Sequence, residues 1–477
     1  MPTNIIQTPL YGDANNGATP VGQNIIFTVQ NTNVVENYYN VKYVAEVHIG
    51  TEPINLSVAD QLIATFKTTP NNAGVGIFDF QSLLESYVST DNTGSGYGST
   101  STYKDIPFTS STPHPIHLID KFCKTSNAVK FFAIQFTIEG ASTPTASISP
   151  IANQTTNSVQ YLIFNGVLQH DNYLTFTNNN YGYNLSDNLL YTANSVSAAK
   201  FLTNAPTTLY ANVDDYGTLP FLNFLPTTTD RVKTIRVQYF LNDGTTGSDI
   251  ITQDYAGGGA TNYDNIFTHI LYFGAFPGNL RNYDTQFQGY VTAGTIQGGY
   301  YTLQATNDND ELQQKYTINV NCPNSKGYES IRLTWLNQWG VWDYYTFTMK
   351  STKSLTTNRT TYTQMSGTWN DKTYRIDGYK GGRKNFRVNS TERISVNTDF
   401  VTEADALWFE ELISSPEVYI LNGYQDETPP YDTITNKYVE PILIISSNYV
   451  RKTIANDKLI QYTFEMERNK TQKTQTS

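Results

Sequence analysis

Charge is what this 477-residue chain has least of. Only 15% of its residues are charged, against 39% hydrophobic and 13% aromatic. A surface so poor in ions must be covered by Asn, Thr, Ser, Gln and Tyr, an unusual dress for a free cytosolic enzyme. The charges present sum to 31 − 42 = −11. No Lys/Arg run interrupts that acidic balance, so phosphate neutralisation, and with it nucleic-acid binding, is not expected. Two cysteines, Cys123 and Cys322, are too few for a disulfide scaffold, and two buried thiols are expected rather than one bridge. No window approaches the roughly 18 apolar residues of a membrane helix, so no membrane insertion is expected. The opening segment, MPTNIIQTPLYGD, has neither a basic nor an apolar signal region, so no secretory leader is expected. GxSxG, HExxH, GxxxxGK(S/T), GxGxxG and CxxC are all absent. That removes the common signatures of nucleophilic, zinc, phosphate-loop, dinucleotide and redox chemistry.

What the chain has in quantity is aromatic residues, 35 Tyr and 24 Phe, which favour strands over helices. Its length fits about three domains at roughly 150 residues each. In the first block, residues 24–29, 43–49, 62–67 and 130–138 read as strands. Asp79 is placed to cap a short helix with Phe80, Leu83, Leu84, Tyr87 and Val88 on its apolar face. Residues 89–116 read as an exposed Ser/Thr/Gly-rich loop, and 140–154 as a linker. In the second block, 159–164, 232–241, 266–273, 300–305 and 314–320 read as strands, with a hairpin turn at Asn242-Asp243-Gly244. Both blocks run strands, a short element carrying Phe78 or Phe276, a polar excursion and a closing strand, which hints at two related sandwiches.

The third block begins with IRLTWLNQWGVWDYYTFTMKS, residues 331–351, holding three of the five tryptophans. Ile331, Leu333 and Trp335 alternate with Arg332 and Thr334, as in a half-buried strand; 337–340 make a turn, and Tyr345 and Phe347 lead back. Further on, Thr402 and Asp405 stand at capping-box spacing before Ala404, Leu407, Trp408, Glu411 and Leu412, a helical stripe ended by Pro416. The expected fold is therefore mostly β, a multidomain β-sandwich architecture with one amphipathic helix in the C-terminal domain. The expected domains are an N-terminal β-sandwich-like domain over 1–150, a second over 153–325, and an α+β domain over 326–477 with the tryptophan hairpin and a helix at 402–413.

Trp335, Trp339, Trp342, Tyr344, Tyr345 and Trp408 are the candidate anchors. They read first as core, because buried aromatics dominate cores, and second as an exposed grip for a partner subunit or a glycan, with Asp343 to Tyr345 the candidate contact. His114 and His117 flank a proline and lack further zinc ligands, so a surface loop is expected. Asp308, Asp310 and Glu311 lack the glycine and distal Glu of a calcium loop. Asp214-Asp215 and Glu410-Glu411 are neighbours that point apart, and both pairs read as solvated. No catalytic residue, metal site or cofactor is expected.

Several segments resemble a family of virion structural proteins of tailed phages, notably those of Bacteroidota and marine bacteria. They are YNVKYVAEVHIG with GVGIFDFQSLLESYV, FNGVLQHDNYL, LYFGAFPGNLRN, the tryptophan hairpin, and VNTDFVTEADALWFEELISSPEVYIL. The resemblance implies a non-enzymatic tail or baseplate component, a ring or adaptor. Its partners would be copies of itself in a symmetric ring and neighbouring tail or head–tail proteins. It would be assembled in the host cytoplasm and released by lysis within the virion. A receptor- or glycan-binding tail-tip protein is the first rival, and a polysaccharide depolymerase the second. The loop 89–111 and the arm after Asn469 are the segments expected to reach neighbours.

Overall fold

In a chain so poor in charge, strands must bury one face and pair their edges, and three sets of strands do so. The computed structural model describes residues 3–11, 18–51, 54–57, 61–90, 95–96, 116, 121–124, 127–169, 176–177, 180–181, 188, 196–223, 232–252, 269–307, 309–322, 327–368, 372–403, 405–421, 439–446, 448–450, 460–469 and 472–473. It is mostly β, 47% strand against 13% helix, arranged in several sheets.

The first set is β1 (Asn4–Gln7), β2 (Ala18–Pro20), β3 (Ile26–Gln30), β4 (Tyr39–Gly50), β5 (Leu62–Thr68), β6 (Val75–Asp79), β7 (Ser95–Gly96), β8 (Phe122–Lys124), β9 (Val129–Ala141), β10 (Ser149–Pro150), β11 (Thr156–Asn157) and β12 (Tyr161–Phe164). Helices α1 (Thr32–Asn37) and α2 (Gln81–Glu85) interrupt it. β4 and β9 pair antiparallel at the centre of one sheet, ordered β2-β12-β9-β4-β5, and β1-β3-β6 forms a second. The two sheets share one core. Phe27 of β3 lies 5.9 Å from Phe136 of β9, and Phe78 of β6 lies 5.8 Å from the same ring. This is sandwich packing. The Asp79 carboxylate accepts from the amides of Ile25 and Gln81, both at 3.1 Å, but the N-cap of the helix is Phe80 rather than the expected Asp79. Phe80 and Leu84 are fully buried beneath it, whereas Tyr87 is exposed rather than packed.

The second set follows a short pair, β13 (Phe176–Thr177) with β14 (Asn180–Tyr181). It comprises β15 (Thr208–Ala211), β16 (Thr218–Asn223), β17 (Thr234–Phe240), β18 (Thr246–Thr252), β19 (His269–Gly274), α3 (Pro277–Tyr283), α4 (Thr285–Ala293), β20 (Tyr300–Thr306) and β21 (Tyr316–Val320). Its topology repeats that of the first set strand for strand. The sheet β2-β12-β9-β4-β5 has its counterpart in β15-β21-β20-β17-β18. The β2–β12 and β15–β21 pairs are both parallel, and every other neighbouring pair along the two orders is antiparallel. In the facing sheets, β3–β6 corresponds to β16–β19, again antiparallel. A helix follows β6 and another follows β19. Each has a buried phenylalanine, Phe80 or Phe276, at its N-cap, with no side-chain cap bond. The two sandwiches share one topology.

The repeats differ in what lines their second sheet. The excursion after α2 supplies β7 and β8, and β8 pairs with β19 of the second sandwich. β12, placed by sequence in the second block, completes the first sandwich instead. The stretch expected as a linker, 140–154, lays β10 along β9, and β11 just after it does the same. Contacts accordingly divide the chain into two compact units rather than three blocks. Met1–Pro323 with Trp335–Tyr344 belong to one, and Asn324–Thr334, Tyr345–Asn422 and Tyr438–Ser477 to the other.

The last set is β22 (Ile331–Leu336), β23 (Trp342–Phe347), β24 (Thr352–Gln364), β25 (Gly382–Asn397), α5 (Asp405–Ser414), β26 (Val418–Leu421), β27 (Val439–Ile444), β28 (Thr463–Arg468) and β29 (Gln472–Lys473). Their sheet runs β23-β22-β26-β27-β28-β25-β24, with β29 also on β25. The described part of the C-terminal arm thus pairs with its own chain. Asp405 accepts from the Thr402 amide at 2.7 Å and hydroxyl at 3.0 Å, the expected cap. On α5, Trp408, Phe409 and Leu412 are buried, as is Glu411, which the sequence placed in solvent; Leu407 is exposed, and Ala404 lies outside the described residues.

Helices α3 and α4 were not expected, and Asp284 joins them. One carboxylate oxygen accepts from the amides of Gln286 (2.8 Å) and Phe287 (3.1 Å), and the other from the buried Tyr239 hydroxyl. Burial first, and the Asp284 carboxylate second, push the Tyr239 phenol far above its ordinary range, so it stays a donor. Asp284→Ala removes a helix cap and strands a buried hydroxyl, and should destabilise by about 2–4 kcal/mol in urea unfolding. A loss below about 0.5 kcal/mol would contradict this role.

Candidate functional site

The tryptophan hairpin is the only part of the chain where sequence placed a cluster of candidate anchors, and its turn is built by one side chain. Asn337 donates its amide to Val341 O (2.8 Å) and accepts from the Gly340 amide at its own carbonyl (2.9 Å). Its side-chain oxygen accepts from the Trp339 amide at 3.0 Å. Gly340 has φ +70°, and a Cβ there would stand 1.8 Å from Asn165 O, so both conformation and space demand glycine.

That turn is buried in the first unit. The Val167 amide donates to Gln338 O at 2.8 Å. The Asn337 side-chain amide donates to Leu202 O at 2.9 Å. Trp339 lines a small apolar void with Leu162 and Phe164 of the first sandwich and Leu222 and Ile270 of the second. The Tyr344 hydroxyl lies 3.1 Å from the Thr218 hydroxyl, and its ring 5.6 Å from that of Phe276. Residues 335–344 therefore act as a wedge held by both sandwiches.

The structure buries Trp335, Trp339, Trp342, Tyr344 and Trp408, and half-buries Tyr345. Tyr345 packs against Trp408 (5.7 Å) and Phe409 (5.0 Å) within the second unit, and its hydroxyl accepts from the Asp399 amide at 3.2 Å. Burial raises its phenol well above the ordinary range. The expected half-buried pattern is not what β22 adopts: all six of its residues are buried, Arg332 and Thr334 included. Arg332 donates to the Thr346 hydroxyl at 2.7 Å, a bond that helps a buried guanidinium bear its desolvation. Asp343 is 3% exposed, so the proposed glycan contact is not at the surface of the chain.

The other candidates are dispersed. Asp214 pairs with Arg281, and Asp215 accepts from the Asn212 amide at 2.7 Å, so neither is simply solvated. Asp310 makes a 3.5 Å pair with Arg236, and Glu311 accepts from the Asn307 side chain at 2.7 Å. His114, His117 and Asp308 lie outside the described residues, as does the side chain of Cys123. Cys322 is exposed, not buried as expected. Among the described residues no group of three or more His, Cys, Asp and Glu is placed to hold a metal ion. No helix among them is long and apolar enough to cross a membrane. His48, which sequence passed over, is buried in β4 without a hydrogen-bond partner among the described residues. Burial lowers its pKa, which Glu46 only partly offsets, so it stands as a neutral core residue. The signal missed was its place in the apolar run YVAEVHI.

The chain matches no protein-family model, and no curated protein is significantly similar to it in sequence.

Trp335 is fully buried, as are Leu333 and, within 1%, Phe347. Trp335→Ala should destabilise the protein by about 3–5 kcal/mol, as large aromatic truncations do. A variant that melts with the wild type would remove Trp335 from the core.

Proposed function

We propose that the chain is a non-enzymatic structural component of a tailed-phage particle, a tail or baseplate ring or adaptor that acts by oligomeric assembly. The observation that carries the reading is how the aromatic anchors are used. The described tryptophans are spent on internal packing, in a chain whose two sandwiches share one topology. That is the build of a spacer that holds a shape. The motif resemblance to virion proteins supplies the particle, and the sparse surface charge fits a chain covered by neighbours. Its partners are copies of itself, in a ring of roughly three, six or twelve, and adjacent tail or head–tail proteins. Its place is the virion.

The glycan-binding alternative loses the contact it was built on, because Asp343 and Tyr344 are buried. The depolymerase alternative needs convergent carboxylates. Instead, Asp214 is paired with Arg281, Asp215 is bonded within a turn, and Glu411 is buried.

Quantitative mass spectrometry of purified virions tests the proposal. The chain should be present in multiple copies per particle, in a number that divides into the tail symmetry. Its absence from washed particles, or a single copy, would overturn the reading.

A further inference from the structure

No basic run interrupts the sequence, yet the fold makes a basic arm. Residues 352–397 hold Lys353, Arg359, Lys372, Arg375, Lys380, Arg383, Lys384, Arg387 and Arg393 against Asp371, Asp377 and Glu392, a net charge of 9 − 3 = +6. The remainder of the chain then carries 22 − 39 = −17. Strands β24 and β25 bring these cations together by pairing antiparallel over almost their whole length, from Thr352↔Ser395 to Gln364↔Gly382. Only the base of the arm is supported by the rest of its sheet. β28 pairs with Arg393–Asn397, and β29 with Asn389 and Ser390. From Arg359↔Val388 outward, each strand has only the other among the described residues.

The charges at the base are paired, as is Lys380 at the tip with Asp377 (3.1 Å), whereas three cations on the outer part of β25 meet no carboxylate among the described residues. Lys353 pairs with Glu329 and Arg393 with Glu467. By contrast Arg383 donates to the Thr361 hydroxyl, Lys384 to Tyr379 O and Arg387 to Asn389, all uncharged acceptors. Large apolar side chains stand exposed beside them: Tyr374 57%, Ile376 80%, Tyr379 74% and Phe386 57%. A bare two-stranded ribbon is marginal in water, and one that displays apolar side chains on a charge-poor protein gains by being covered.

Lysines on an edge strand often serve only to block aggregation. Here that reading explains little. β24 is the edge strand, and it holds two of the nine cations; the other seven lie on the tip and on β25.

We propose that the ribbon 359–388 is a docking arm that lies on the acidic surface of a second copy of this chain. The charge supplies the complement: the ribbon 359–388 carries 7 − 2 = +5, and the surface it would meet belongs to a body of 24 − 40 = −16. The apolar side chains supply contact area, and the cations supply orientation and rate. This inference rests on the assembly reading and names the element that performs it.

Sedimentation velocity over a range of salt, with the full-length chain and an R383E/K384E/R387E variant, tests it. The three positions are on a solvent-exposed ribbon, and an unchanged melting temperature certifies the variant's fold. The wild type should self-associate, less so as salt rises, and the variant should associate at least ~10-fold more weakly. Carboxylate–amine cross-linking of mixed isotope-labelled copies should join Lys372, Lys380 or Lys384 to carboxylates of another copy. Equal association of variant and wild type, with arm cross-links confined to one copy, would overturn the arm and leave the assembly reading standing. A wild type that stays monomeric at every concentration would overturn both. A monomer whose arm retards double-stranded DNA would overturn the self-docking arm in favour of nucleic-acid binding.

Discussion

The turn at Asn337–Gly340 is the contact on which most of the first unit depends. It belongs in sequence to the last third of the chain, yet it is seated by backbone and side-chain bonds to residues from both sandwiches. A buried turn exposes polar backbone to an apolar interior, and each such group must be satisfied there. Asn337 satisfies those of the turn itself, Val167 bonds to Gln338 O, and the Asn337 amide bonds to Leu202 O. Once those bonds are made, Trp339 has only one place to go, into the apolar space lined by both sandwiches. Gly340 is obligatory for the same reason, since the Asn165 carbonyl occupies the space of any side chain.

Around that wedge, one strand topology is used twice with different additions. In the first sandwich the strand next to β3 is β1; in the second, the edge of β19 is covered by β8, taken from the first sandwich's own excursion. Edge strands with unpaired amides invite wrong pairing. Lending β8 covers one such edge and knits the two repeats together by backbone bonds. The same concern leaves β24 conspicuous, a thirteen-residue edge strand almost wholly in solvent.

What could be read from sequence followed from local signals, and what could not depended on distant neighbours. The helix at Asp405–Ser414 was legible because a cap and an apolar stripe coincide. The hairpin turn after Phe240 was legible from Asn-Asp-Gly, and Gly244 takes φ +83° there. Helices α3 and α4 were missed because Gln, Asn, Thr and Gly dilute their apolar positions, although Pro277 in the first turn and the Asp284 cap marked their starts. The ribbon was invisible for a physical reason: strands that bury neither face have no alternation to show. β22 misled in the opposite sense. Arg332 and Thr334 alternate with apolar residues as on a half-exposed strand, but both are buried, with Arg332 bonded to Thr346. A Pro/Ser/Thr-rich stretch can lie along a strand edge as readily as it can link domains, as β10 does on β9 within 140–154 and β11 does just beyond it. Of the anchors, the identity of the residues was legible, while the direction in which they face was set by the tertiary packing.

Hydrogen–deuterium exchange of the wild type and Asn337→Ala tests the wedge most directly. Removing that side chain deletes the bond to Leu202 O and the support of Trp339. If the turn ties the sandwiches together, amides at 164–167 and at 201–203 should lose protection in concert, while those of helix α5 in the other unit keep theirs. Faster exchange confined to the hairpin, with both sandwiches protected as before, would contradict the account.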